Sequence, residues 1–153
     1  MDNAIIIYCS YSGNTEEVAD LIGQTLMNVG VEVEMYRIGS GFIPELSTYD
    51  ICFVGTFTWE EGGVPEEIDD WLEYSNLPKN TAMFGTGDTQ FGGDTLFCKA
   101  VDTIATRYRT RYIPLKVEQS PRGSQEEKVY RWTNQIIELN QGGRQIDRKT
   151  YTS

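Results

Sequence analysis

Apolar positions along the chain fall into two periods. Residues 4–9 form an unbroken apolar run with β-branched members, and residues 50–55 and 81–85 read alike, as strands buried on both faces of a sheet do. Residues 31–37 alternate, with Val31, Val33 and Met35 set against Glu32, Glu34 and Tyr36, which predicts a half-exposed edge strand. Residues 112–118 make a fifth strand, in which Pro114 predicts an edge position or a bulge. Between the strands the period changes to that of a helix. Val18, Leu21, Ile22, Leu26 and Val29 recur at helical spacing until Gly30, and Ile68, Trp71 and Leu72 follow Pro65, placed for a first helical turn. Phe97, Ala100, Val101, Ile104, Ala105 and Tyr108 mark a third helix. Ser124 and Glu127 form a capping box ahead of Val129, Trp132, Ile136 and Ile137, the fourth.

Five strands alternating with four helical segments predict an α/β fold: a parallel sheet between two helical layers, with right-handed crossovers. With the first strand central and the second at an edge, the strand order is 2-1-3-4-5. Ligands then bind beyond the carboxyl ends of strands one, three and four. The domain is expected to span residues 1–141. After Gly142 and Gly143 the chain turns polar, so residues 142–153 are expected to form a tail, loosely ordered from Arg144 onward.

The first of those carboxyl ends carries the motif SYSGNT, Ser10 to Thr15, between an apolar strand and a helix start. Such a turn makes a nest of backbone N–H groups at the positive end of a helix dipole, a site for phosphate. Ser10, Ser12 and Thr15 can each donate an O–H, Asn14 an N–H, and Gly13 lets the backbone approach closely. No Lys or Arg lies within the turn, and neither a Gly-Lys-Ser/Thr ending nor a GxGxxG fingerprint is present. A single terminal phosphate held by neutral donors fits these residues best. The competing reading is an ordinary helix start, capped by Ser12 or Asn14, with no ligand.

The other two loops add aromatics. Residues 56–64 carry Phe57 and Trp59, and the glycine-rich residues 85–94 carry Phe91. The third loop opens Gly85-x-Gly87, but Gln90 stands where a dinucleotide fingerprint has its last glycine. One aromatic from each loop beside a phosphate turn suits a planar ring held between them, each contact contributing ~0.5 to 1.5 kcal/mol beyond area burial; the competing reading of Trp59 or Phe91 taken singly is a loop side chain folded onto the core. A flat ring joined to one phosphate is flavin mononucleotide, FMN.

Composition narrows the chemistry. The 153 residues are 39% hydrophobic and 24% charged, which suits one globular domain with a sizeable core. Histidine is absent, which removes His-based acid-base catalysis, Ser-His and Cys-His triads and the commonest zinc ligand. The three cysteines, Cys9, Cys52 and Cys98, form no CxxC pair and are expected to be buried, reduced thiols. No apolar run reaches the ~20 residues of a membrane span, and no leader pattern opens the chain, so a soluble cytoplasmic monomer is expected. The formal charge of −10 opposes binding to nucleic acid or anionic membrane and fits a basic protein partner; the competing reading is that the charge only keeps the protein in solution.

Taken together, SYSGNTE, GTFTWEEGGVPEE and GTGDTQFGGDTLFCKAVD resemble the three flavin loops of a short-chain flavodoxin, and the likeness runs over residues 4–139. The resemblance implies that Ser10, Ser12, Asn14 and Thr15 bind the FMN phosphate, helped by the backbone of Tyr11 and Gly13 and by Thr58. It makes Trp59 the stacking residue on one flavin face and Phe91, where the family usually has tyrosine, its counterpart on the other. Asp88 matches a family aspartate near the ribityl chain and ring edge. The remaining cofactor positions it implies are Thr56, Phe57, Glu60, Glu61 and Gly62 in the second loop, and Gly85, Thr86, Gly87, Gly92, Gly93 and Asp94 in the third.

Two departures from the family pattern stand out. Glu60 and Glu61 follow the tryptophan where a small residue usually lets a peptide turn its carbonyl toward the half-reduced flavin, and a Cβ there resists that turn. The third loop is also longer, with Gly92 and Gly93 added. Such a loop resembles that of the flavodoxin-like activator of class Ib ribonucleotide reductase, although Trp59 is unusual for that group. A cofactor-free domain of the same fold is a third reading, and it leaves the loop aromatics and phosphate donors without a role. The resemblance favours a low-potential carrier of single electrons between a donor such as an NADPH-dependent flavodoxin reductase and basic-surfaced acceptor enzymes, rather than an enzyme. Glu60, Glu61, Glu66, Glu67, Asp69, Asp70 and Glu73 cluster beyond the second loop, where their field opposes an anionic reduced flavin.

Overall fold

A computed structural model of the chain describes residues 1–11, 13–41, 44–58, 63–87, 98–119 and 121–149. The strands are β1 (Asn3–Tyr8), β2 (Glu32–Arg37), β3 (Ile51–Phe57), β4 (Thr81–Gly87) and β5 (Leu115–Glu118). Among the described residues the helices are α1 (Asn14–Asn28), α2 (Glu66–Tyr74), α3 (Lys99–Tyr108) and α4 (Ser124–Lys149), and a 3-10 turn at Leu46–Thr48 precedes β3. All four strand pairings are parallel, in the order β2-β1-β3-β4-β5, as the alternation of periods predicts.

Alternate side chains of the central strands feed two separate cores. Ala4, Ile6 and Tyr8 of β1 join Phe53, Phe84 and the buried stripe Val18, Ile22 and Leu26 of α1, on the face that α4 also covers. Ile5, Ile7 and Cys9 join Cys52, Val54 and Met83 against Ile68, Trp71 and Leu72 of α2 and Val101 and Ile104 of α3. Each fully buried isoleucine contributes about 1.5–3 kcal/mol, so β1, with three of them in a row, anchors both layers. Two glycines allow the close fit around β3 and β4. A Cβ on Gly55 would collide with the edge of the Phe84 ring, and one on Gly85 would stand 2.9 Å from Val101 Cβ.

The differences from the sequence expectations lie at element ends. β5 begins only at Leu115, because Pro114 lacks the N–H a ladder needs; the strand pairs with β4 alone, at the sheet's edge. Val29 is exposed, since α1 stops at Asn28 and Gly30, at φ 86°, turns the chain away. Ser124 is the first helical residue rather than a cap, and the Glu127 N–H bonds the Gly123 carbonyl at 3.2 Å. The fourth helix runs on through Gly142 and Gly143 to Lys149. Two glycines each cost about 1 kcal/mol in a helix, and propagation of a helix already formed tolerates that cost better than nucleation does. Phe97, expected on the third helix, lies outside the described residues.

Candidate phosphate and flavin site

The carboxyl ends of β1, β3 and β4 bring the three loops to one edge of the sheet. At the first, Gly13 adopts φ 95° as the N-cap of α1, a left-handed conformation that favours glycine, and no side chain among the described residues caps the helix. Its carbonyl accepts the Glu17 N–H at 3.0 Å, while its own N–H donates to Ser10 Oγ at 3.1 Å. Ser10 is thus buried and shapes the turn from within. The N–H groups of Asn14, Thr15 and Glu16 belong to the first helical turn and have no intrahelical acceptor, which is the donor set an anion requires.

Thr15 ties this turn to the third loop's base. Its hydroxyl lies 2.9 Å from that of Thr86, both side chains being buried, so one O–H proton is shared between them across 71 residues of sequence. Thr56 is fully buried and donates its hydroxyl to the Phe57 carbonyl at 2.9 Å. Thr58 Oγ1 accepts the Ala100 N–H at 3.3 Å, which fastens the second loop's base to α3. Gly87 accepts the Gln119 N–H at 2.7 Å, holding the end of β4 against β5. Tyr11 is 76% exposed and sets its ring 5.8 Å from that of Phe57, so two aromatics of different loops meet at this edge.

The structure therefore gathers Ser10, Tyr11, Gly13, Asn14, Thr15, Thr56, Phe57, Thr58, Gly85, Thr86 and Gly87 at one edge. Ser12, Trp59, Glu60, Glu61, Gly62, Asp88, Phe91, Gly92, Gly93 and Asp94 lie outside the described residues. Gly85 has a packing role of its own, because Val101 leaves no room for a Cβ.

One residue at the site went unnoticed in the sequence. Arg37, the last residue of β2, stands opposite Tyr8 in the parallel ladder and donates from Nη2 to the Ser10 carbonyl at 3.1 Å. It also draws in Glu16, whose carboxylate lies 3.7 Å from Arg37 Nη1 and accepts from Tyr8 Oη at 3.3 Å. Glu17, next along the helix, pairs with Arg122 at 3.2 Å. Both carboxylates of the first turn thus have an arginine beside them, which reduces their repulsion of an anion at the helix start. The signal in the sequence was positional: the terminal residue of a strand parallel to β1 must arrive at the same edge. The second feature missed is the use of Asp69, which pairs with Arg107 at 2.6 Å and so contributes less to the acidic rim than Glu66, Asp70 and Glu73, all exposed.

Burial defines the thiols. Cys9, Cys52 and Cys98 are free and buried, and removal from water raises each thiol pKa to about 12. At Cys9 the neighbouring Glu67 adds to the rise. These side chains are core, without a thiolate at neutral pH. Among the described residues no group of three or more Cys, Asp or Glu side chains could hold a metal ion, and no helix is long and apolar enough to cross a membrane.

Comparison with known proteins gives these features a family. Residues 6–131 match the family model described as flavodoxin. The chain is 34% identical over 146 residues to probable flavodoxin 2 of Bacillus subtilis, covering 89% of this chain and 95% of that protein. It is 33% identical over 111 residues to a flavodoxin of Maridesulfovibrio salexigens, covering 68% of this chain and 74% of that one. The crystal structure of oxidised flavodoxin 2 from Bacillus cereus superposes with a TM-score of 0.79 at 33% identity, covering 90% of this chain and 99% of the other. The three-layer architecture, the turn after β1 and the match over most of the length place the chain in the flavodoxin family, whose members bind FMN and carry electrons rather than act as enzymes.

Proposed function

We propose that the chain holds FMN with its phosphate on the turn from Ser10 to Thr15 and shuttles single electrons at low potential between a reductase and acceptor enzymes. The observation that carries this reading is the α1 start: a left-handed Gly13, no side-chain cap among the described residues, and first-turn carboxylates each drawn to an arginine. Bound FMN supplies the redox chemistry, and the protein supplies binding, orientation and field. Asn14, Thr15 and the helix N–H groups hold the phosphate. Ser10 and Arg37 keep the turn in shape from either side, and the Thr15–Thr86 hydroxyl pair fixes its distance from the third loop. Trp59 and Phe91 would enclose the ring and Asp88 would serve its ribityl side, as the resemblance of their loops to flavin loops implies.

The partner side of the reading rests on α2. Glu66, Asp70 and Glu73 are exposed on a helix that starts at the same edge, so a basic donor, such as an NADPH-dependent reductase, and basic acceptors would be steered to the flavin edge. Residues 1–141 suffice for this role, performed by a cytoplasmic monomer. Family membership supports the carrier over a cofactor-free domain of the same fold. The test is the absorption spectrum of the purified protein with extraction of its cofactor: FMN at one per chain is expected, and FAD, or a colourless protein indifferent to added FMN, would overturn the reading.

A further inference from the structure

One corner of the opposite end of the sheet carries the reverse charge. A cleft of about 580 Å³ opens between the segments that follow α2 and α3, lined by Leu77, Pro78, Lys79, Tyr108, Arg109 and Arg111 among others. Its volume lies within the range of ligand clefts. The second segment reads RYRTRY, Arg107 to Tyr112, and with Lys79 it gathers four of the chain's 13 cationic residues at one corner. Screening limits electrostatic reach to about 8 Å at physiological salt, so a short ligand there meets this local positive field rather than the net −10.

These cations differ in how they are used. Arg107 pairs with Asp69 and lies over the Tyr108 ring. Arg111 lies over Tyr112, 5.3 Å from its centroid, and donates to Asn80 Oδ1 at 3.4 Å. Among the described residues no carboxylate forms an ion pair with Lys79, Arg109 or Arg111. Arg109 also occupies the C-cap of α3 at φ 52°, a left-handed position where glycine or asparagine is the usual occupant. Tyr74, at the end of α2, is 80% exposed nearby in the chain.

We propose that this cleft docks a short acidic segment of a partner protein, with an apolar side chain on the floor of Leu77, Pro78 and Tyr108 and carboxylates facing Lys79, Arg109 and Arg111. The mixed lining selects the occupant. A free small anion would leave the apolar floor exposed, and a long polyanion or an anionic bilayer would extend beyond the corner into the field of the acidic remainder. Thr81 and Thr86 lie at opposite ends of β4, about 16 Å apart at the usual strand rise, so the segment and a redox partner at the flavin edge can bind together. The cleft would thus tether the carrier without blocking its flavin.

The test uses the full-length, FMN-loaded protein and a fluorescein-labelled peptide of sequence EELFEE, followed by anisotropy at low and at physiological salt. Saturable, salt-weakened binding is expected, with amide NMR shifts confined to residues 74–81 and 107–112 and an unchanged flavin spectrum. Arg109→Glu combined with Arg111→Glu should weaken binding at least tenfold, and Lys79→Glu, an exposed loop change that spares the helices, at least threefold. The peptide KKLFKK should not bind. The proposal is overturned by no binding of EELFEE, by equal affinity in the variants, or by shifts centred on residues 10–15. Arginine-dependent binding of single-stranded DNA or phosphatidylserine vesicles in preference to the peptide would also overturn it. Because the flavin spectrum is read in the same samples, failure here is distinguishable from failure of the flavin assignment.

Discussion

Two helices start at the same edge of the sheet, α1 after β1 and α2 after β3, and they satisfy their positive ends in opposite ways. α1 begins behind a left-handed Gly13, and the carboxylates of its first turn, Glu16 and Glu17, are drawn to Arg37 and Arg122. α2 begins behind Pro65 and places Glu66, Glu67 and Asp69 in its first turn, of which Asp69 alone pairs with an arginine among the described residues. A helix start whose own carboxylates complement the dipole needs no outside anion, whereas one whose carboxylates are held by arginines is left open to one. Both first turns are acidic in the sequence. Tertiary partners distinguish the two starts, and on the proposed function the first would serve as the phosphate site and the second as a charged docking rim.

The largest expected effect comes from closing the open start. Gly13→Ala should lower stability by about 1–2 kcal/mol and weaken FMN binding, since φ 95° is costly for any residue with a Cβ. No atom lies within 4 Å of the added Cβ, so the loss is one of backbone alone. Pro65→Ala at the other helix, where φ is −59°, should cost only about 0.4–1 kcal/mol and leave FMN affinity unchanged. Chemical unfolding of the two variants measures the contrast, and equal losses would remove it.

Freeing Glu16 comes next. Arg37→Ala should weaken FMN binding by about 0.5–1 kcal/mol, roughly two- to fivefold, as expected for a half-exposed charge pair, with riboflavin affinity unchanged and the difference larger at low salt. Parallel titrations of the apoprotein with both ligands would show this. On α2, Glu66→Gln with Asp70→Asn and Glu73→Gln should flatten the salt dependence of reduction by a reductase while FMN affinity holds. Stopped-flow rates across ionic strength decide that point, and a drop in FMN affinity would contradict the division of labour between the helices.

The smallest effect at neutral pH concerns the three buried thiols. Cys9, Cys52 and Cys98 have folded-state pKa values raised to about 12, against about 8.5 for a free thiol. Above the free value the unfolded chain gives up protons that the folded chain keeps, so these groups lower stability progressively as pH rises toward 12 and leave it unaffected below about 8. Native protein should accordingly resist iodoacetamide at pH 8, and its melting temperature should fall between about pH 9 and 12. Replacing the three cysteines with alanine should remove part of that fall.

The features legible in the sequence are those encoded by neighbours in the chain. Ile5, Ile6 and Ile7 announce a strand buried on both faces, and Gly13 beside Asn14 and Thr15 announces a helix start able to take an anion. Arg37 was invisible because its place beside Ser10 follows from ladder register, with Tyr8 opposite Arg37, and no local pattern records it. The pairing of Asp69 with Arg107 spans 38 residues and was hidden for the same reason. Pro114 did mark the sheet edge, but the strand starts after it because a residue without an N–H cannot join the ladder. Gly142 and Gly143 read as a stop, yet glycine weakens a helix without forbidding it.

The most direct measurement of the central claim, that the open start of α1 is a phosphate site, is the ratio of FMN to riboflavin affinity in the apoprotein, by fluorescence quenching at fixed salt. Two charge-assisted hydrogen bonds to the phosphate, at about 1.5 kcal/mol each, predict at least ~100-fold preference for FMN, reduced by Asn14→Ala and by millimolar inorganic phosphate. Equal affinity for the two ligands, unaffected by phosphate or by the Asn14 change, would contradict it.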